Sequence, residues 1–464
     1  MKRFKFINKN LATLFYNQIF ETFQKTGGLK MKFFKKTTVA ATLLSTLVLA
    51  ACSSNGSSGT NEQSGDDKTV TLWVQYSEES AEGQVMSQSI KDFNETNTGG
   101  YTAKVEYIPR SGSGGGYEDK VNAALTTNTL PDVLTLDGPN TAAYAKSGII
   151  APIDEYITNK DDLLPSIIDE GTYDGKLYSL GYSESGVGIF YNKKMLEEAG
   201  VDLASLPTVD NPWTYEQYNE LFETLTKKYN KPAIDVGFDD HSEWLMYAFT
   251  PFVWSSGGDV VNEDGTKSSG AFDNAGSVEA FTFIQGLIKN GYSTITPEKN
   301  GFQTGVYPLK MTGSWTMQEM DSQYQDVEYG VLPLPMSPTT KKPVSPTGSW
   351  AYGMSATTNK KDAAGALIDF LGSEQEVYDM SVGNSVLPSR KSTSERLAPE
   401  VSEQMKVLLE QNAKTGHARP VLVNYPQVSR IVQNAVTEVT YVDQNSDVKA
   451  LLEQKAREID ALLP

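Results

Sequence analysis

The chain has 464 residues, with 40 Lys and Arg against 58 Asp and Glu (formal net charge −18), one cysteine and two histidines. At about 100–200 residues per domain, that length makes two or three domains. One cysteine excludes an intrachain disulfide, a thiolate zinc site and an iron–sulfur cluster, two isolated histidines argue against a multi-histidine metal centre, and the acidic balance disfavours non-specific nucleic-acid binding.

The first element is a targeting segment that opens at Met31. Lys32, Lys35 and Lys36 form a basic region, and 39–51 is an uncharged, mostly apolar stretch of 13 residues. That suits a secretory signal and is too short to span a bilayer comfortably. It ends in Leu49-Ala50-Ala51-Cys52, which matches the bacterial lipobox and implies cleavage before Cys52 and diacylation of its sulfur. Residues 1–30 do not fit such a signal. They read as translated leader, because Gly27-Gly28 can be encoded by a GGAGG-containing run spaced from the Met31 codon by Leu29 and Lys30. Translation is therefore expected to start at Met31, with 31–51 the signal peptide; the mature chain is then 413 residues carrying −26. Residues 52–68 are the lipid anchor and a Ser/Gly/acid-rich tether with no apolar residue after Cys52, unable to bury a core.

Beyond the tether, strand and helix signals alternate. Val70–Val74 is a short apolar run, as expected of a strand buried on both faces. Residues 81–95 and 117–127 read as helices, Thr102–Ile108 alternates like a strand, and Pro131–Asp137 is a buried strand ending on a carboxylate. Asp174-Gly175 is a hairpin-turn signal, and Asp264-Gly265 looks similar. Val278, Phe281, Ile284, Leu287 and Ile288 mark one face of a helix closed by Gly291; 362–371 and 447–463 are also helical. This alternation implies parallel sheets with helices on both sides, an α/β fold.

Several catalytic and cofactor motifs are missing from the sequence. It has no G-x-x-x-x-G-K-[ST], H-E-x-x-H or G-x-S-x-G motif, and Gly112, Gly114, Gly115 and Gly116 miss the dinucleotide spacing. His241 reads as a surface helix start rather than a catalytic base. No cofactor or metal is expected. Acids are plentiful, and two facing carboxylates would suffice for glycoside hydrolysis.

Aromatic residues are the chain's largest chemical resource: 6 Trp, 23 Tyr and 18 Phe. Trp73 is expected in the core, and Trp213, just before the capping-box pair Thr214 and Gln217, at a helix start. Trp244 and Trp254 bracket an apolar segment, while Trp315 and Trp350 each follow Thr-Gly-Ser. Glycine beside tryptophan after a strand lets the ring project from a tight loop. Such rings can stack on the C–H faces of sugars, or they can pack in the core or between domains.

Seven segments, in order, carry a family resemblance: Pro131-Asp132-Val133-Leu134, Gly175-Lys176-Leu177-Tyr178, Tyr182–Lys193, Trp254–Asp259, Met311–Trp315, Ser345–Trp350 and Leu387–Lys391. The chain resembles the extracytoplasmic solute-binding proteins of ABC sugar importers, solute-binding family 1, the maltose-binding-protein-like group. The resemblance implies a two-lobe periplasmic-binding-protein-like fold (type II), with parallel-rich sheets flanked by helices. The amino-terminal lobe is then 69–182 plus 354–386 and the other 186–348 plus 390–464, joined by hinge segments near 182–185, 349–353 and 386–390.

The resemblance also implies a sugar, expected to be an oligosaccharide, bound in the cleft by a monomer and delivered to permease subunits with a cytoplasmic ATPase. The protein would sit on the outer face of the bacterial cell membrane, held there by the lipid on Cys52 alone. Trp315 matches the family's stacking aromatic. Trp244, Tyr247, Trp254 and Trp350 could complete the aromatic walls. Gln75, Tyr76, Asp137 and Asn140 follow strands whose carboxyl ends face such clefts. Tyr182, Ser183 and Glu184 lie at the first crossing and Arg390 near the third. Arg110, in a glycine-rich loop, either reaches an acidic group on a ligand or sits in solvent. The alternatives are a surface glycoside hydrolase, or a receptor for an anionic ligand such as sialic acid, a sugar phosphate or a peptide.

Overall fold

The computed structural model describes residues 68–110, 116–348 and 350–464. The leader 1–30, the signal peptide 31–51, Cys52, the tether as far as Asp67 and the glycine loop 111–115 lie outside the described residues. Besides a two-residue hairpin, the strands in chain order are β1 (Thr69–Val74), β2 (Thr102–Tyr107), β3 (Val133–Asp137), β4 (Ile150–Ala151), β5 (Ser179–Gly181), β6 (Ser183–Glu184), β7 (Val187–Asn192), β8 (Ile234–Asp235), β9 (Leu309–Gly313), β10 (Tyr329–Leu332), β11 (Ser345–Thr347), β12 (Trp350–Ser355), β13 (Leu387–Pro388) and β14 (Gly416–Ala418).

The first lobe is built on a sheet ordered β2-β1-β3-β12-β4, with β5 also on β12. β1 runs parallel to both neighbours, Val70 opposite Ala103 and Leu72 opposite Val133. β12 arrives from the other lobe and runs antiparallel to β3, β4 and β5, so the sheet is mixed around a parallel triplet. Val70, Leu72 and Val74 pack on one face against the helices Ala81–Thr96 and Lys361–Leu371, while Trp73 packs on the other against Tyr117–Thr127. Burying a side chain of this size stabilises by about 1.5–3 kcal/mol, which makes both faces productive. The helix Ala81–Thr96 starts where Ser80 Oγ accepts from the Gly83 N–H (3.0 Å) and buries Met86, Ile90 and Phe93 on one stripe.

The second lobe is built on the sheet β8-β9-β7-β10, in which β7 is antiparallel to both neighbours. Val187 and Ile189 face a large core with the helices Tyr215–Tyr229, Ala275–Lys289 and Tyr425–Thr437, while Phe190 faces Met317, Met320 and Leu408. Trp213 stands edge-on to Tyr218 (5.7 Å) before the helix it precedes, where Gln217 Oε1 accepts from the Thr214 N–H (2.9 Å). Among the described residues no helix is long and apolar enough to cross a membrane.

Two identical dipeptides behave differently. Asp174 and Gly175 both take positive φ (49° and 72°) and close a hairpin that pairs Tyr173 with Lys176. Asp264-Gly265 is a turn without flanking strands, which corrects the hairpin expected there. Asn262 Oδ1 takes the N–H groups of Thr266 and Lys267 (2.8 and 2.9 Å), so a side chain satisfies the backbone that a ladder would otherwise pair.

The chain leaves the first sheet at Gly181 and enters the second at Val187, and it returns through β11 into β12. These two passages are bonded together, Tyr182 N–H to Trp350 O (3.0 Å) and Ser185 N–H to Gly348 O (3.1 Å). A third line joins them where β13 pairs β6, Leu387 opposite Glu184. Residues beyond β13 remain tied to the first lobe: Ser392 to Asp162, Arg396 to Gln375 and Tyr378 to Glu400. Bonds to the second lobe resume with Gln404 on Tyr329 O and Gln411 on Val187 O. The final crossing therefore falls near 400–403, later than the 390 boundary expected from the sequence.

Candidate functional site

The second-lobe side of the site begins at the end of β9. Gly313 allows the Trp315 ring to fold back over the strand end, since a Cβ at 313 would overlap that ring. Trp315 is the most exposed of the six tryptophans, at 39 %. Trp244 stands edge-on to it (6.2 Å) and is fixed by its indole N–H on Val236 O (2.9 Å). Gly237, at φ +72°, makes room for that indole. Tyr247 follows, 6.4 Å from Trp244.

The aromatic row leads to an ionic bridge built on a buried arginine and two half-buried carboxylates. The Arg419 guanidinium lies 5.0 Å from the Tyr247 ring and donates twice to Asp137, at the end of β3 (both 2.8 Å), and once to Glu243 (2.9 Å). Asp137 belongs to the first lobe and Glu243 to the second, so one guanidinium links the two lobes. Such bidentate, charge-assisted bonds are among the strong ones. Ser429 donates to Glu243 Oε2 (2.6 Å), as does Gln433 (3.3 Å), and Tyr425 bonds its other oxygen. Burial raises the Glu243 carboxyl above its usual range, against the lowering effect of Arg419.

On the first-lobe side, Trp350 lies opposite Asp137 in the β12–β3 register. The Arg110 guanidinium covers its ring at 4.4 Å. The Arg110 backbone N–H donates to Gln75 O (3.2 Å), which ties the loop after β2 to the end of β1. Gln75 Nε2 donates to Tyr182 Oη (3.0 Å), which donates to Glu82 Oε1 (2.8 Å). Burial pushes the Glu82 carboxyl up to about 7, opposed by the Tyr182 bond and Arg110. Tyr182 stacks on Tyr352 (4.6 Å) beneath this group.

The expected residues thus divide. Trp315, Trp244, Tyr247, Asp137, Trp350, Tyr182, Gln75 and Tyr76 lie along one path from lobe to lobe. Asn140 ends the turn Gly138–Asn140 next to that path, half-buried. Ser183 and Glu184 are buried hinge residues; Glu184 accepts from the Gly348 N–H (2.9 Å) and bonds Ser166, and burial raises its carboxyl. Trp254 is 3 % exposed, donates to Asp259 (2.9 Å) and packs on His417 (4.3 Å), so it takes the packing alternative. Arg390 is 2 % exposed and its guanidinium serves Gly372 O, Asn159 O and Asp162, away from the aromatic row. His241 is exposed ahead of the helix Trp244–Tyr247. Sequence reasoning missed Glu82, Glu243 and Arg419, none of which sits in a local motif.

The family model described as "Bacterial extracellular solute-binding protein" matches residues 76–378. The chain is 24 % identical over 409 residues to the diacetylchitobiose binding protein DasA of Streptomyces coelicolor, covering 85 % of this chain and 90 % of that protein. It is 24 % identical over 360 residues to the maltotriose-binding protein of Pyrococcus abyssi, covering 74 % and 73 %. Its fold matches that of the cyclic alpha-maltosyl-1,6-maltose binding protein from Arthrobacter globiformis with a TM-score of 0.71 at 22 % identity, over 85 % of this chain and 98 % of that one.

Proposed function

Because this chain belongs to the bacterial extracellular solute-binding proteins, we propose that it is the capture component of an ABC importer, holding an oligosaccharide between its lobes and handing it to a membrane permease. The observation that carries this reading is the path from Trp315 through Trp244 and Tyr247 to the Asp137–Arg419 pair, flat apolar rings beside charged hydrogen-bonding groups. A sugar presents both kinds of surface, C–H faces for the rings and hydroxyls for the charged groups. Ligand sites of this kind are largely apolar, with a few placed polar groups that fix orientation. Closure would come from hinge rotation about the crossings at 182–186 and 348–350. The relatives named for diacetylchitobiose and maltotriose support a saccharide ligand.

Binding needs no covalent step. Hydrolysis would need one free carboxyl to protonate the leaving group and another as base or nucleophile. Asp137 and Glu243 both accept from Arg419 and are committed to it, so that pair does not serve as acid and base. A diacylated Cys52 would hold the protein at the outer face of the membrane through its tether.

Tryptophan fluorescence titration against neutral oligosaccharides tests the reading, with a shift or quench expected. Trp315→Ala should keep its fold, since the ring is 39 % exposed, and lose at least about tenfold in affinity, the scale of a central aromatic contact. Silence of the wild-type protein across the panel would reject the carbohydrate reading. Wild-type affinity in the variant would reject the site.

A further inference from the structure

The aromatic row does not account for the first-lobe end of the site. There the Glu82–Tyr182–Gln75 chain, the Arg110 guanidinium over Trp350 and the phenol of Tyr76 converge at the carboxyl edge of β1 and β2. Gln75 and Tyr76 are only 3 % and 7 % exposed, yet Gln75 Oε1 and Tyr76 Oη have no hydrogen-bond partner. A buried polar atom left unpaired costs about 1–3 kcal/mol, so two together point to a group that would satisfy both.

We propose that Glu82 is a specificity-determining residue of this site, forming with Gln75, Tyr76 and Arg110 a charge-compensated pocket that takes an uncharged, hydroxyl-bearing group and rejects an ionised carboxylate or phosphate. The inference rests on the carbohydrate reading above. A hydroxyl can donate to Gln75 Oε1 or accept from Tyr76 Oη, and a sugar ring carries several hydroxyls. An ionised carboxylate or doubly ionised phosphate only accepts. It would leave Gln75 Oε1 unpaired and bring a second negative charge to the half-buried Glu82, where like charges repel. Arg110 does not offset that charge, because Glu82 and Glu118 already face it. Arg419 is occupied by Asp137 and Glu243.

The titratable groups facing Glu82 are Tyr76, Tyr182 and Tyr352, phenols that burial keeps neutral, and the Arg110 cation; Glu376 faces Tyr352 from the helix Glu374–Asn384. Of the groups facing it, Glu82 alone changes charge near neutrality, because burial pushes its carboxyl up to about 7.

The test is isothermal titration of wild type and Glu82→Gln with maltotriose, N,N′-diacetylchitobiose and the tightest neutral binder of the panel, each against its C6-oxidised uronate counterpart, at pH 6 and pH 8. At pH 8 the wild type should prefer the neutral sugar by at least about tenfold, the discrimination a mispaired buried polar group supplies. That preference should shrink at pH 6, where Glu82 is protonated. In Glu82→Gln it should be at least about threefold smaller at pH 8 and the same at both pH values. A preference unaltered by substitution and by pH overturns the assignment, as does tighter binding of the uronate by the wild type. The wild-type pH series decides the matter by itself if the variant does not fold. Absence of binding by any sugar is a different result, which defeats the carbohydrate reading and the pocket with it.

Discussion

Arg390 shows how a residue's surroundings settle its role. It lies among the hinge segments, as its place in Leu387–Lys391 suggests, but its guanidinium is spent on two backbone carbonyls and Asp162 inside the first lobe. A buried cation whose Nε and Nη1 donate within one lobe acts as a structural tie there. Arg390→Met should therefore lower stability by about 2–4 kcal/mol, from the unpaired acceptors it leaves behind. Sugar affinity, measured well below the lowered melting temperature, should stay within about twofold of wild type, since no ligand-facing group is removed. A thermal melt and one titration decide it: a large affinity loss with unchanged melting would return Arg390 to the site. Trp254 follows the same logic, its indole N–H taken by Asp259 and its ring buried against His417.

At the scale of elements, the sequence was most readable where a pattern is local. The helix expected over 117–127 is Tyr117–Thr127, and the one expected over 81–95 is Ala81–Thr96, because apolar spacing, and for the latter the Ser80 cap, act within a few turns. The Asp264-Gly265 turn was misread because a hairpin depends on flanking strands, and the side chain of Asn262 took the bonds those strands would have used. The place of Trp315 at a strand end, two residues after Gly313, is a local feature of the same kind. Gly313→Ala examines that element. The added Cβ would overlap the indole, so the ring must leave its place beside Trp244. The variant should shift tryptophan emission and weaken sugar binding severalfold, while unfolding nearly as the wild type does, because Gly313 φ is not in the left-handed region. Unchanged emission and affinity would show that the ring has room the structure does not give it.

At the scale of the whole molecule, the decisive contacts join residues far apart in sequence. Arg419 is separated by 282 residues from Asp137 and by 176 from Glu243. No periodicity or short motif encodes such a meeting; it exists only once two sheets and their crossings have formed. The bridge also has a mechanical consequence. It joins the lobes beside the returning crossing, where Arg419 lies against Gly348 and Asp137 stands opposite Trp350, with the cation buried and its two carboxylates half-buried. It therefore holds the lobe angle of this structure, and hinge motion that widens that angle must strain or break it. Asp137→Asn removes the charge and one of the two bidentate acceptors while keeping the shape. Without ligand, this variant should show a larger radius of gyration by small-angle X-ray scattering than wild type does. Saturating sugar should bring the two together, at a higher concentration for the variant, because ligand binding must then supply the closing energy that the bridge supplied. High salt should weaken the bridge only in part, since the guanidinium is buried while its carboxylates are half-buried. Identical scattering of the two unliganded proteins would mean that the hinge strands alone set the lobe angle, with Arg419 merely filling the space between them.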